Sequence, residues 1–201
     1  MSARMLRRAA AAMGLVGAIV LSQALPAEAR GFDDREVVQL SKTGMVRGAG
    51  GLGLHLTPKD AVVATNLALA ATTCNDCRAT AISFQVVVAD RAPLSVDVRN
   101  FAYAVDQNCA RCEATAIAYQ FVLVFQGDAK LSGAGHRQLE RIGAALGRLA
   151  KSGASQEEVQ ASAAEYAAQV LELLSSEIHV RPLVHRKVEH HGHGNNGEPV
   201  V

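Results

Sequence analysis

The chain between about Ala61 and Phe125 alternates small and bulky side chains with a period of two. Within Asn66–Ala70, small or polar residues alternate with leucines, and the stretch Ala79–Val86 alternates in the same way. A period of two, with β-branched and aromatic residues on one face, is typical of β-strands. The pattern therefore predicts strands on both sides of the cysteines that lie between these stretches.

The same region contains a duplicated unit. Each copy has Asn-x-Ala-x-Ala, then Cys-x-x-Cys, then a small-residue run that ends in Gln. The shared positions are Asn66, Cys74, Cys77 and Gln85 in the first copy and Asn100, Cys109, Cys112 and Gln120 in the second. We expect the two copies, residues 61–126, to be a pair of similar supersecondary units.

If each unit is a hairpin, directly opposed residues share one face of the sheet. Closing the first copy at its cysteines sets Asn66 across from Gln85, and a slightly longer loop sets Asn100 across from Gln120. Small residues then oppose small ones and bulky residues oppose bulky ones. A helical alternative remains, strand–Cys-x-x-Cys–helix, because Cys77, Ala81 and Gln85 also share a helix face.

Two helices are predicted after the duplicated region, within residues 133–178. Leucine and isoleucine recur at helical spacing from Gly135 to Ala150, and Gly153 is placed to end that helix. Ser155-Gln-Glu-Glu158 is a capping box that opens the second. The predicted fold class is therefore α+β: an antiparallel sheet of two cysteine-tipped hairpins, covered on its bulky face by a C-terminal αα-hairpin.

The repeat resembles one found in exported proteins of high-GC actinobacteria, some of which carry the label peptide zinc metalloprotease. The resemblance covers residues 61–125. It implies an exported protein and, through the label, zinc and proteolysis. A zinc protease needs His-Glu-x-x-His or its inverted form, and the nearest approach is His185-Arg-Lys-Val-Glu189-His190, which has one residue too many. We therefore expect no protease activity and leave the question of enzymatic function otherwise open.

The ends of the chain differ from its centre. Residues 1–29 have the arginines, apolar run and Ala27-Glu28-Ala29 site of a secretory signal peptide. Residues 30–59 are Gly-rich and predict a flexible lead-in to a single globular domain, 60–180. Their Gly48-Ala-Gly50-Gly-Leu-Gly53 matches the dinucleotide fingerprint, but no convincing strand precedes it. Residues 181–201 predict a disordered His- and Gly-rich tail.

Export determines which partners and chemistry we expect. Cleavage after Ala29 removes three of the 20 basic and one of the 19 acidic residues, so the mature chain is close to neutral. Near neutrality argues against nucleic acid as a partner, and no later segment is long and apolar enough to span a bilayer. We expect a secreted or cell-envelope location and an envelope or extracellular partner.

Three chemistries compete for Cys74, Cys77, Cys109 and Cys112. Exported proteins oxidise their thiols, which favours structural disulfides, either within each motif or between motifs. A zinc site using all four sulfurs is second. A thiol-disulfide oxidoreductase is third, because that chemistry uses a Cys-x-x-Cys at a helix N-terminus.

The tail adds a separate metal question, since clustered imidazoles can bind zinc, copper or nickel. The histidines are His185, His190, His191 and His193. Isolated His55 and His136 are expected to be surface or core residues. No cofactor is expected, with zinc as the alternative. The sequence thus predicts a non-enzymatic structural or binding module stabilised by its cysteines, with a zinc-binding protein or an oxidoreductase as alternatives.

Overall fold

A computed structural model describes residues 31–90, 93–125, 129–178, 192–193 and 199–200. Six long strands precede two helices: β1 Phe32–Leu40, β2 Val46–Thr57, β3 Ala61–Thr72, β4 Arg78–Ala89, β5 Ser95–Asp106, β6 Glu113–Val124, α1 Gly133–Lys151 and α2 Gln156–Glu177. Two short strands follow, β7 Gly192–His193 and β8 Pro199–Val200.

The long strands form two parallel sheets rather than one antiparallel sheet. The odd sheet has the order β1-β3-β5 and continues into β7 and β8, whereas the even sheet has the order β2-β4-β6. Consecutive strands therefore lie in different sheets and face one another across the interior. The chain winds through three such coils: β1–β2, β3–β4 and β5–β6. The fold is α+β as predicted, but the predicted antiparallel hairpins are wrong.

The two repeats stack on one another in register. Asn66 pairs with Asn100 in the odd sheet, and Gln85 pairs with Gln120 in the even sheet. The prediction that Asn66 lies across from Gln85, and Asn100 from Gln120, in a hairpin ladder is therefore wrong. The physical reason is that alternation fixes which side chains share a face. It does not fix whether the hydrogen-bonded neighbour is the next strand or its copy one repeat later.

Small residues fill the space between the sheets. The alanines that alternate along β3 and β4 are closed off from solvent, and Ala68, Ala70, Ala79 and Ala81 are all 0% exposed. They form one cluster with the first cysteine pair and with alanines of β5 and β6. Small side chains thus do oppose small ones, as the sequence pattern predicted, but across the gap between two sheets.

The Gly-rich segment expected to be a flexible lead-in forms β1 and β2 instead. In β2, a Cβ on Gly48 would overlap the carbonyl oxygen of Ala150 in α1, and one on Gly50 would lie 2.7 Å from that of Leu146. These glycines allow helix and strand backbones to touch. They allow close packing of β2 against α1 and do not form a phosphate-binding loop. Because β1 and β2 are part of the two sheets, the domain begins before residue 60.

The helices cover the bulky face of the even sheet, as predicted. Ile82 and Phe84 are 0% exposed beneath them, in a core shared with Leu146 and Val170. The capping box at Ser155 is present, with the side chain of Glu158 reaching back to the Ser155 amide. The alternative with a helix after each Cys-x-x-Cys is wrong, because β4 and β6 follow the cysteines.

Several predictions concern residues that the structure does not describe. The signal peptide, 1–29, lies outside the described residues, as do His185, His190 and His191. In the tail, only β7 and β8 are described: β7 pairs with β5 at Ala102 and Tyr103, and β8 pairs with β7. Within the part of the chain that the structure describes, neither helix has the length and apolar character of a membrane span.

Candidate functional site

The four cysteines lie at the arched connections between the sheets, here called the tips, at residues 73–77 and 107–112. They form local pairs: Cys74–Cys77 with Cα atoms 5.8 Å apart, and Cys109–Cys112 with Cα atoms 6.0 Å apart. This pairing resolves the alternative between disulfides within and between motifs. The inner pair, Cys74–Cys77, is buried, at 4% and 2% exposure. Both cysteines of the outer pair, Cys109–Cys112, are half-buried.

The two tips stack directly on one another. The amide of Asp76 donates to the carbonyl of Ala110 at 3.0 Å, and the amide of Ala110 donates to Oδ1 of Asn75 at 2.7 Å. Arg111 donates from Nε and Nη2 to the two carboxylate oxygens of Asp76, at 2.5 and 2.8 Å. That hydrogen bonding holds the pKa of Asp76 below its ordinary value. The stacking continues the coil register out to the cysteines.

A carboxylate lies beside the outer pair. Asp106 Oδ1 accepts from Thr72 Oγ1 at 2.5 Å, and Oδ2 accepts from the Ala114 amide at 3.2 Å. One oxygen of Asp106 and the sulfurs of Cys109 and Cys112 all lie within 4.8 Å of one another. By residue type and spacing these three side chains could hold a metal ion, although in the oxidised form both sulfurs are committed to the disulfide.

The structure does not bring all four sulfurs together. Among the residues it describes, the metal-ligand group joins only the outer pair to Asp106, and the inner pair lies outside that group. Neither Cys-x-x-Cys begins a helix, so the helix-dipole arrangement that activates thiols in oxidoreductases is missing at both tips. The observed geometry is that of two stacked disulfides, of which Cys109–Cys112 is the more accessible.

The repeated amides form two buried ladders. Asn66 is 0% exposed; its Nδ2 lies 2.9 Å from both the Ser83 carbonyl and Oδ1 of Asn100, while its Oδ1 accepts from Ser83 Oγ at 2.6 Å. Gln120 donates to Oε1 of Gln85 at 2.6 Å. All four repeat residues are buried, and their side-chain hydrogen bonds join the two sheets and neighbouring coils.

The first coil carries charges where the other coils carry amides. Asp34 is the register partner of Asn66 in the odd sheet, and its Oδ2 lies 2.8 Å from His55 Nε2. Glu36 also points inward, toward the glycines of β2. A Cβ on Gly53 would overlap the carboxylate of Asp34, so glycine provides the room for it. Burial, followed by repulsion from Asp34, raises the pKa of Glu36. Sequence reasoning missed this cluster and treated His55 as isolated.

Among the residues that the structure describes, no helix covers the outer face of the odd sheet. Apolar side chains alternate with the interior ones and form what we call the outer patch: Val37, Leu67, Leu69, Phe101, Tyr103 and Val105. Val37, Tyr103 and Val105 are 43%, 46% and 48% exposed. The rings of Phe101 and Tyr103 stack with centroids 5.9 Å apart. The sequence pattern predicted one bulky face, covered by the helix pair; in the described part of the chain there are two bulky faces, and the helices pack on that of the even sheet.

Comparison with known proteins leaves the site to be interpreted on its own chemistry. No protein-family model, no curated protein and no solved structure matches this chain. Of the histidines considered from sequence, His55 is paired with Asp34 and stacks on Phe32 at 4.7 Å between ring centroids, while His136 lies on α1. His193 lies in β7, of which only the backbone is described.

Proposed function

We propose that the protein is an exported, non-enzymatic binding module that holds a protein partner against the outer patch. The observation that carries this proposal is the contrast between the two bulky faces. Ile82 and Phe84 on the even sheet are sealed by helices, whereas Tyr103 and Val105 on the odd sheet are nearly half exposed. Contiguous exposed apolar side chains on a soluble domain mark an interaction site.

The chemistry around the patch favours a protein rather than an anionic polymer. Acidic and basic side chains both border it, with Asp33, Arg35, Asp97 and Arg99 on the same outer face. An apolar centre with aromatic rings and a charged rim of mixed sign is the usual composition of a protein–protein interface. Nucleic acid would instead require a basic surface. The two disulfides and the signal sequence support an extracellular or envelope location.

Photo-crosslinking in the expressing cell tests this function. A benzoylphenylalanine at Tyr103 should form protein adducts on irradiation of the cell envelope or medium. The same probe at Glu165, an exposed position on α2, is the matched control. Adducts confined to the Tyr103 probe support the proposal. Equal labelling from both positions, or none from either, refutes it.

A second candidate, metal binding, rests on the group formed by Asp106, Cys109 and Cys112. After reduction by a dithiol, which opens the disulfide and releases two thiols, these residues offer two sulfurs and one carboxylate oxygen. That donor set fits Zn²⁺, with one position left for water. Zinc bound there would join the end of β5 to the start of β6. This site uses the outer pair alone, unlike the four-sulfur site expected from sequence.

Cobalt(II) titration of the reduced protein tests the metal site, because the absorption of cobalt–thiolate bonds distinguishes metal bound at the cysteines from metal bound by the tail histidines. We expect about one equivalent with thiolate bands, since two sulfurs are available. The bands should disappear in a Cys109→Ser/Cys112→Ser variant, weaken in Asp106→Asn, and persist in Cys74→Ser/Cys77→Ser. Bands that depend on the inner pair, or no bands at all, contradict this assignment.

A further inference from the structure

The outward side chains of the odd sheet are arranged in a way that favours one kind of partner for the outer patch. Strand register aligns its outward side chains in rows that cross β1, β3 and β5. One row is Asp33, Thr65 and Arg99; the next is Arg35, Leu67 and Phe101; the third is Val37, Leu69 and Tyr103. Each row has its apolar or neutral member on the central strand. The first row carries opposite charges at its two ends.

We infer that the outer patch binds the same patch of a second copy of this chain, in a face-to-face dimer. This inference rests on the proposed function and names its partner. Consider a two-fold axis that is parallel to β3 and lies midway between the two facing sheets. It places each row opposite the same row of the second copy, in reversed order, so that β1 faces β5 of the partner subunit. Asp33 then lies opposite Arg99 of the partner subunit, and Arg99 lies opposite Asp33 of the partner subunit. The dimer is isologous, so each such contact occurs twice.

The other rows fit the same arrangement. Arg35 lies opposite Phe101 of the partner subunit, where a guanidinium over an aromatic face is favourable. Val37 lies opposite Tyr103 of the partner subunit, and the leucines of β3 meet along the axis. The alternative axis, perpendicular to the strands, would instead place the charged rows at opposite ends of the dimer. Charge complementarity therefore selects the first arrangement.

The size of the face sets the expected strength. Three strands about 4.8 Å apart, each with about nine residues rising 3.3 Å, give a face of roughly 14 by 30 Å. Two such faces bury on the order of 1,000 Å² in total, the low end for specific interfaces. Face-to-face packing of sheets at about 10 Å is a common arrangement. We therefore expect a reversible dimer with a dissociation constant in the micromolar range.

Arg99 already has a partner within its own chain, since it donates to Asp97 at 3.2 and 3.4 Å. Both groups of that pair are exposed, with 57% of each side chain accessible. An exposed pair of this kind holds its geometry weakly. Arg99 can therefore contact Asp97 and Asp33 of the partner subunit together, forming a charge cluster at each end of the dimer.

Sedimentation velocity and light scattering on the full chain, over a concentration series reaching ~200 µM, test the inference. We expect twice the monomer mass at the upper end. Asp33→Arg and Arg99→Asp should each weaken the dimer about tenfold, because each puts two like-charge contacts into it. The double variant Asp33→Arg/Arg99→Asp should recover to within about threefold, because it exchanges the charges.

Further variants keep the test decisive. Leu69→Lys should abolish dimerisation by placing charge on the axis, and Glu165→Arg on α2 should leave it unchanged; circular dichroism checks that each variant is folded. A monomer at every concentration, or a dimer unaffected by Leu69→Lys, overturns the inference. A monomer that still gives adducts of another protein from the Tyr103 probe overturns the dimer alone and leaves the proposed function standing. Loss of both the dimer and the adducts refutes both.

Discussion

Replacing Asn66 by leucine tests whether the buried amide ladder holds the coils together. Leucine has nearly the same size, so the change removes hydrogen bonds without opening a large cavity. Asn66 Nδ2 has three acceptors within 3.0 Å, on Ser83, Asn100 and Tyr119, for its two hydrogens. Its Oδ1 also accepts from Ser83 Oγ at 2.6 Å. The substitution therefore disrupts contacts to both sheets at once.

The magnitude follows from the buried hydrogen bonds that the substitution removes. A lost buried hydrogen bond costs about 1 kcal/mol or more, and Asn66 makes such contacts to Ser83, Asn100 and Tyr119. Apolar contacts of the new leucine offset part of this cost. We expect the free energy of unfolding to fall by about 3–5 kcal/mol and the melting temperature to fall by roughly 10 °C or more.

Urea unfolding, followed by circular dichroism, measures the change. Gln160→Leu is the matched control: it replaces an exposed amide on α2 with the same side chain and should change stability by less than about 0.5 kcal/mol. If Asn66→Leu also falls within that range, the ladder contributes nothing measurable to stability. The reasoning that assigns Asn66 its structural role would then be refuted.

Three further substitutions test other parts of the structure by the same unfolding measurement. Ala81→Leu should destabilise by about 1–3 kcal/mol, because the residue is sealed between the sheets; an unchanged transition would contradict that packing. Gly48→Ala should destabilise, because its Cβ meets the backbone of Ala150, whereas Gly133→Ala, which finds only a 3.6 Å contact with a flexible side chain, should not. Glu36→Gln should stabilise at neutral pH. The raised pKa means that the folded state binds the proton more tightly, so stability falls as pH rises from 4.5 through the higher folded value, and the variant should lack that fall.

Local signals predicted the elements in the repeated region well. The period-two alternation, the helical leucine spacing and the capping box each report the conformation of a few neighbouring residues. They located strands beside the cysteines, both helices and the small face that lies inside. These features depend on propensity and on which side chains share a face, and both can be seen in a short stretch of sequence.

Strand pairing could not be predicted from those signals, because it depends on contacts 34 or 35 residues apart. A hairpin and a stacked coil show the same alternation. One signal did distinguish them: the duplicated amides. Identical residues at a fixed repeat lie side by side when copies stack in parallel register, where Asn pairs with Asn and Gln with Gln. A hairpin would pair Asn with Gln, and nothing in the repeat requires that pairing.

The first coil was missed because it departs from the repeat at the positions that define it. Asp34 stands in the row of Asn66, and Gly53 stands in the row of Gln85. The departures are physically coupled, because the missing side chain at Gly53 gives Asp34 the space it needs beside His55. Without the amides, the segment shows no repeat, and its glycines suggest a loop.

The same substitutions disfavour the addition of another coil next to β1 and β2, the first coil in the part of the chain that the structure describes. Parallel coils with in-register amides present unpaired strand edges, to which another copy could add. At β1 and β2, the inward row instead holds Asp34 and Glu36, and a further coil laid on them would bury both carboxylates more deeply. Burial already raises the pKa of Glu36, so deeper burial would cost still more. Inward-pointing charge on an edge strand thus protects this end of the stack against edge-to-edge addition. In the dimer proposed above, association occurs instead at the outer patch, where apolar side chains are exposed and the Asp33 carboxylate lies opposite Arg99 of the partner subunit.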